Sequence, residues 1–145
     1  MAAFVYKFKT VKKVKEQLKK KIEKELAEVE LEIREAEKKI EALLEELKNL
    51  INSFSEKNMK ISVMKFKKSS ENILKNKIEL ANKELQKLHN KKKSVIEELE
   101  KKSKEHKIFD ILEDNMREKF NIEQNRIENG KIDEVAVQKF ARGRS

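Results

Sequence analysis

The chain has 145 residues, of which 43% are charged and 37% hydrophobic, and its net charge is +9. This composition is too polar for a large globular core, so the apolar surface is expected to lie in narrow stripes. The absence of cysteine excludes disulfides and thiolate metal sites, and no apolar run is long enough for a signal peptide or a membrane span. A cytoplasmic location is therefore the default expectation.

The first predicted element is a long helix over residues 5–54, with its start near Val5 or near Thr10. Proline is absent and the two glycines are Gly130 and Gly143, so nothing interrupts a helix before about residue 128. From Ile22 to Leu50, apolar residues recur at alternating intervals of three and four. This spacing is typical of the contact face of a left-handed coiled coil.

A turn near residue 60 follows. Residues 52–72 are rich in asparagine and serine, whose side chains compete with the helical backbone. The sequence therefore predicts a tip over residues 55–69.

A second helix is predicted over residues 70–129, because the same apolar spacing returns there. Facing positions have residue numbers that sum to 121, as for Ile40 and Ala81, and after a one-residue slip they sum to 120, as for Phe4 and Met116. A constant sum indicates a chain that folds back on itself. We therefore predict an all-α antiparallel coiled-coil hairpin, a single domain that is a monomer when alone; a parallel homodimer is the alternative.

The charges along the chain favour the same pairing. Residues 23–47 contain ten glutamates against four basic residues, whereas residues 73–97 contain seven lysines against three glutamates. These segments face each other in the predicted hairpin, so opposite charges flank its apolar contact.

The second helix is longer than the first can cover, so a C-terminal overhang is expected beyond about residue 119. Apolar residues continue there from Phe120 to Phe140. Asn129 and Gly130 predict the end of the second helix, followed by a tail over residues 130–145 with a short last helix. The overhang is either a binding end or a frayed terminus.

Residues that carry chemistry are scarce. Two glycines near the C-terminus do not form a phosphate-binding loop, and His89 and His106 are too far apart for a helical metal pair. A two-helix hairpin also offers no pocket that encloses a reaction. We therefore predict a protein that is not an enzyme and that binds no cofactor, metal or small-molecule ligand.

The N-terminal residues 4–21 combine aromatic side chains with eight lysines. This pattern is compatible with a nucleic-acid-binding arm, in which aromatics stack on bases, or with a segment that lies on an anionic membrane. The structural alternative is that Phe4, Phe8 and Val11 belong to the hairpin contact and are buried. We favour that alternative and predict no nucleic-acid partner.

Three segments resemble the flagellar export protein FliJ family. They are the aromatic-basic start over residues 4–15, the region from Glu16 to Glu25 that passes into Leu26 and Ala27, and the segment Lys-Ile-Asp-Glu-Val-Ala over residues 131–136. The resemblance spans nearly the whole chain. It implies a long antiparallel coiled coil that serves the flagellar type III export apparatus at the membrane, at the base of the flagellum.

The resemblance also implies partners. Proteins of this family bind the hexameric export ATPase as a central stalk, and they contact the export-gate membrane protein and export chaperones. The ATPase contact is expected on the overhang, at Phe120, Ile127, Ile132, Val135 and Phe140. The gate contact is expected at Leu74, Ile78 and Ala81, which are also contact positions of the hairpin.

Overall fold

The computed structural model describes residues 2–53 and 60–143, which form two helices. Helix α1 spans Lys9–Ser53 and helix α2 spans Ile61–Gly143. The two helices pack against each other as a hairpin, which confirms the predicted all-α fold. The predicted turn near residue 60 falls mainly on residues 54–59, which lie outside the described residues.

The chain forms two compact units, and each contains parts of both helices. The central unit is Lys20–Glu100, and the terminal unit is Met1–Lys19 together with Lys101–Ser145. The domain boundaries predicted from the sequence do not include this division.

The core of the central unit is the apolar contact between α1 and α2. Ile22, Val29 and Ile33 of α1 form one buried cluster with Val95 of α2, and four leucines pack around it: Leu26, Leu85, Leu88 and Leu99. Burial of each aliphatic side chain contributes about 1.5–3 kcal/mol. The three-four spacing of the sequence therefore identified the residues that stabilise this unit.

The predicted pairing is also visible outside that cluster. Ile40 and Ala81, whose numbers sum to 121, are both buried. The Lys92 Nζ lies 3.6 Å from an oxygen of the Glu30 carboxylate, so the basic segment of α2 pairs with the acidic segment of α1. A half-exposed pair of this kind contributes little energy by itself but favours one alignment of the helices.

Of the two predicted starts of the first helix, Val5 is wrong, whereas Thr10 is one residue from the observed start at Lys9. Residues 2–6 have no regular secondary structure, residues 7–8 form a turn, and α1 begins at Lys9. The Lys12 N–H donates to the Phe8 carbonyl at 2.9 Å, which closes the first helical turn. A non-helical chain can span up to about 3.3 Å per residue instead of about 1.5 Å in a helix, so residues 2–6 can reach farther along α2 than a helix of the same length.

The predicted tip over residues 55–69 is wrong for its second half, because α2 already begins at Ile61. The Met64 N–H donates to the Lys60 carbonyl at 3.0 Å, at the start of this helix. The segment contains serines but neither proline nor glycine, so its backbone can remain helical. Lys67 and Glu71 are half-buried, so the first turns of α2 already pack against other parts of the molecule.

The predicted helix end at Asn129 and Gly130 is also wrong. Helix α2 continues through Gly130 to Gly143, and neither glycine has a positive φ. Gly130 therefore does not adopt the left-handed conformation that ends many helices. A glycine inside a helix costs about 1 kcal/mol relative to alanine, but it removes no hydrogen bond. The predicted tail over residues 130–145 is thus helical as far as Gly143.

Candidate functional site

The N-terminal residues 2–8 pack along α2 in the terminal unit, and we call them the strap. Tyr6 is at its centre and is buried, and its hydroxyl donates a hydrogen bond to the Phe109 carbonyl at 2.8 Å. Burial of a tyrosine is favourable when its hydroxyl finds such an acceptor. This hydrogen bond ties the start of the chain to the middle of α2.

Aromatic contacts hold the rest of the strap. The rings of Phe4 and Phe120 are 5.5 Å apart, and those of Phe8 and Phe109 are 6.2 Å apart. The Arg117 guanidinium lies 4.8 Å from the centre of the Phe4 ring, within range of a cation–π interaction. The Phe4 ring therefore packs against Phe120, one helical turn beyond Met116, the partner that the predicted register gives it.

Next to the strap, the contact between α1 and α2 consists of ion pairs. The Lys12 Nζ lies 2.6 Å from a carboxylate oxygen of Asp110 and 2.5 Å from one of Glu113. The Lys15 Nζ lies 3.2 Å from an oxygen of Glu105. The three carboxylates therefore satisfy both lysines at the helix contact.

These ion pairs shift the pKa values of their members. The hydrogen bond from Lys12 lowers the pKa of Asp110 and of Glu113, and the hydrogen bond from Lys15 lowers the pKa of Glu105. The pKa of Lys12 is raised, mainly by its hydrogen bond to Asp110. All four groups are consequently charged at neutral pH.

The predicted burial of Val11 is wrong. Val11 and Val14 are exposed, and the half-buried positions of α1 in this unit include Lys12 and Lys15 instead. From Ile22 towards the N-terminus, the spacing of half-buried positions continues through Lys15 and Lys12. Each of these lysines directly follows an exposed valine. The carboxylates on α2 make this polar arrangement stable, since each buried charge has a partner.

Sequence reasoning missed three residues of α2 that contact the lysines or the strap, namely Asp110, Glu113 and Arg117. A signal for the ion pairs was present. Residues 105–118 contain five acidic side chains, and in the hairpin this segment faces a start that contains eight lysines. Charge matching between the two ends of the chain would have indicated the pairing of Lys12 with Glu113.

Tyr6 provides a test of the strap, because it is the only tyrosine and the chain has no tryptophan. Its pKa is raised above the ordinary value, first by burial and then by the negative charges of Glu113 and Asp110, against the opposing charge of Lys12. A raised folded-state pKa stabilises the fold at pH values below about 10, and this contribution disappears as the pH rises through the folded-state pKa. We expect phenolate absorbance to appear at higher pH in the native chain than in the guanidinium-unfolded chain. Equal midpoints would contradict burial of Tyr6.

The five residues predicted to bind an ATPase do not form one surface. Phe120 is half-buried against Phe4, whereas Ile127, Ile132, Val135 and Phe140 are exposed. At about 100° per residue, Ile132, Val135 and Phe140 lie on one face of α2, together with Ala136. Ile127 lies about 140° from Ile132 but about 80° from Val135, so it adjoins the edge of this face on the side that carries Phe120.

The residues predicted to bind the export gate lie in the helix contact. Leu74 and Ala81 are buried and Ile78 is half-buried. Three other apolar residues of the same part of α2 are exposed at intervals of seven, namely Phe66, Ile73 and Leu80. Residues seven apart lie on the same side of a helix, so these three form an exposed row beside the buried one.

In the described parts of the chain, no helix is long and apolar enough to cross a membrane. Across residues 2–53 and 60–143, no group of three or more histidine, aspartate or glutamate side chains could hold a metal ion. What the molecule presents is therefore a set of exposed apolar rows and charged faces on helices.

Comparison with protein families identifies the family of the chain. A family model described as "Flagellar FliJ protein" matches residues 4–145, from the strap to the end of the chain. No curated protein and no solved structure matches the chain. Because the match covers nearly the whole length, the chain belongs to the FliJ family and is a non-catalytic component of the flagellar export apparatus.

Proposed function

We propose that this protein binds the ring of the flagellar export ATPase as a central stalk and links it to the export gate and to export chaperones, in the cytoplasm at the base of the flagellum. Family membership supports the general role. The observation that supports the ATPase contact is the exposed apolar face of α2 at Ile132, Val135 and Phe140. Such a face on a charged helix is typical of a docking surface.

The composition of this face favours a protein partner. Ile132 is 65% exposed and Val135 is 49% exposed, on a helix that continues to Gly143. Each side chain would contribute about 1.5–3 kcal/mol if a partner removed it from water. Phe120 has a different role, because it supports the base of the helix through its contact with Phe4.

The ATPase contact is tested by the double substitution Ile132→Gln and Val135→Gln. Glutamine preserves helix propensity while it removes the apolar surface. We expect affinity for the purified export ATPase to fall by at least about tenfold with unchanged helicity, measured by titration and circular dichroism. The matched control is Ile108→Gln with Ile111→Gln, two exposed residues of the same helix and unit. Equal losses in the two variants would contradict this docking surface.

For the export gate, we propose that the contact uses the exposed row of Phe66, Ile73 and Leu80. Leu74 and Ala81, which the sequence indicated, become available only if the hairpin opens, because both are buried against α1. The exposed row lies beside them on the same stretch of α2. It needs no rearrangement before it binds.

The gate contact predicts a reciprocal result with the ATPase variant. Ile73→Gln with Leu80→Gln should weaken binding to the cytoplasmic part of the export gate by about tenfold and leave ATPase binding unchanged. The variant at residues 132 and 135 should do the reverse, so each is the control for the other. Unchanged gate binding in the first variant would reject the exposed row as the contact.

A further inference from the structure

An open groove of about 590 Å³ lies between the strap and the start of α1, within the terminal unit. Strap residues Phe4, Val5 and Tyr6 form its apolar part. Its charged part comes from both helices and consists of Lys9, Lys12, Lys13, Glu16, Glu113 and Arg117. Basic residues thus outnumber acidic ones in the groove.

The charges of the groove are unequally neutralised. Lys12 is held by Asp110 and Glu113, and Arg117 lies 3.6 Å from Glu113. Lys9 and Lys13 are exposed, and within residues 2–53 and 60–143 no ion pair engages either of them. Because they are four residues apart on α1, both ammonium groups lie on the same side of the helix.

An exposed apolar side chain lies next to these lysines. Val5 is 79% exposed, although its neighbours Phe4 and Tyr6 are held against α2. The strap therefore presents Val5 in a fixed position at the wall of the groove. A ligand that fits would carry carboxylates at about one helical turn of separation and an apolar group beside them.

We propose that this groove binds an acidic peptide segment of a partner protein. Carboxylates of the segment pair with Lys9 and Lys13, and an apolar side chain of the segment covers Val5. The complementary charge argues for this occupant, since basic residues outnumber acidic ones in the groove and Lys9 and Lys13 are in no ion pair within the described residues. This site consists of other residues than the docking surfaces proposed above.

The aromatic contacts argue against a nucleic acid in this groove. Single-stranded nucleic acids bind to free aromatic faces on which bases stack. Here the Phe4 ring contacts both the Phe120 ring and the Arg117 guanidinium, and Tyr6 is buried with its hydroxyl bonded to the Phe109 carbonyl. The aromatic residues of the strap are therefore already engaged.

The proposal is tested with the full chain and a fluorescein-labelled peptide of Glu-Glu-Leu repeats, by fluorescence anisotropy at physiological ionic strength. A peptide of Gln-Gln-Leu repeats measures the contribution of charge, and a labelled oligothymidine measures nucleic-acid binding. The test variant is Lys9→Gln with Lys13→Gln. Its control is Lys104→Gln with Lys107→Gln, which removes the same charge from exposed positions of the same unit outside the groove.

The expected result is saturable binding of the acidic peptide that weakens by about tenfold or more in the test variant and by less than about twofold in the control. The neutral peptide should bind weakly to every form of the protein. Equal weakening in the two variants, or no saturable binding of the acidic peptide, would overturn the proposal. Tighter binding of oligothymidine that is lost in the test variant would assign the groove to nucleic acid instead.

Discussion

Val29→Asp is expected to lower the free energy of unfolding by about 3 kcal/mol. Val29 is the most deeply buried large side chain among the described residues, with 1% of its surface exposed, and it packs with Ile22, Ile33 and Val95. A carboxylate at this position loses its hydration inside an apolar cluster. The measurement is urea unfolding followed by circular dichroism.

The matched control is Leu31→Asp, two residues farther along α1, where the leucine side chain is 53% exposed. Both substitutions introduce the same side chain into the same helix, so their intrinsic helix costs are similar. We expect the control to lower the free energy of unfolding by less than about 1 kcal/mol. Similar losses in the two variants would show that the hairpin contact does not run through Val29.

Phe4→Ala combined with Phe8→Ala is expected to release the strap from α2. The two substitutions remove the ring contacts with Phe120 and Phe109, and each aromatic pair contributes about 0.5–1.5 kcal/mol beyond its buried area. A total loss of about 2 kcal/mol corresponds to roughly thirtyfold faster amide exchange where opening is local. Hydrogen exchange should therefore accelerate over residues 105–120.

Two observations control this experiment. Val5→Ala changes an exposed residue of the same strap and should leave exchange over residues 105–120 within about twofold of the parent protein. Exchange in the core around Val29 should remain slow in the double variant, because that cluster belongs to the other unit. If residues 105–120 kept their protection in the double variant, the strap would not stabilise α2.

The structure of the central unit was predictable because its core consists of apolar residues at a regular spacing along each helix. Ile22, Val29 and Ile33 recur at the spacing of a coiled-coil contact, and Val95, which the predicted register pairs with Leu26, packs in the same cluster. Residues with this spacing can be buried only against a second helix of the same kind. The sequence therefore contained both the helices and their pairing.

The terminal unit was less predictable because long-range contacts decide its structure. Whether Phe4 and Tyr6 are helical or extended depends on Phe109 and Phe120, more than a hundred residues away. Similarly, Lys12 is half-buried at the helix contact because its ammonium group forms ion pairs with Asp110 and Glu113 of α2. Local spacing favours Val11 at that contact, and charge pairing overrides it.

The sequence predicted the candidate site only in part. Apolar residues beyond the paired segment were visible in the sequence, but the continuation of α2 through Gly130 was not. That continuity gives Ile132, Val135 and Phe140 a fixed position relative to Phe120 and Ile127, which precede Gly130 on the same helix. A break at Gly130 would have removed that relation.

The proposed function as an ATPase stalk depends most on contact between the face at Ile132 and the export ATPase. A photo-cross-linking side chain at position 132 tests this contact directly, with the same group at position 31 as the control, since both parent side chains are exposed. The account predicts a cross-linked product with the purified ATPase from position 132 and none from position 31. Absence of product at position 132, or equal product at both positions, would contradict it.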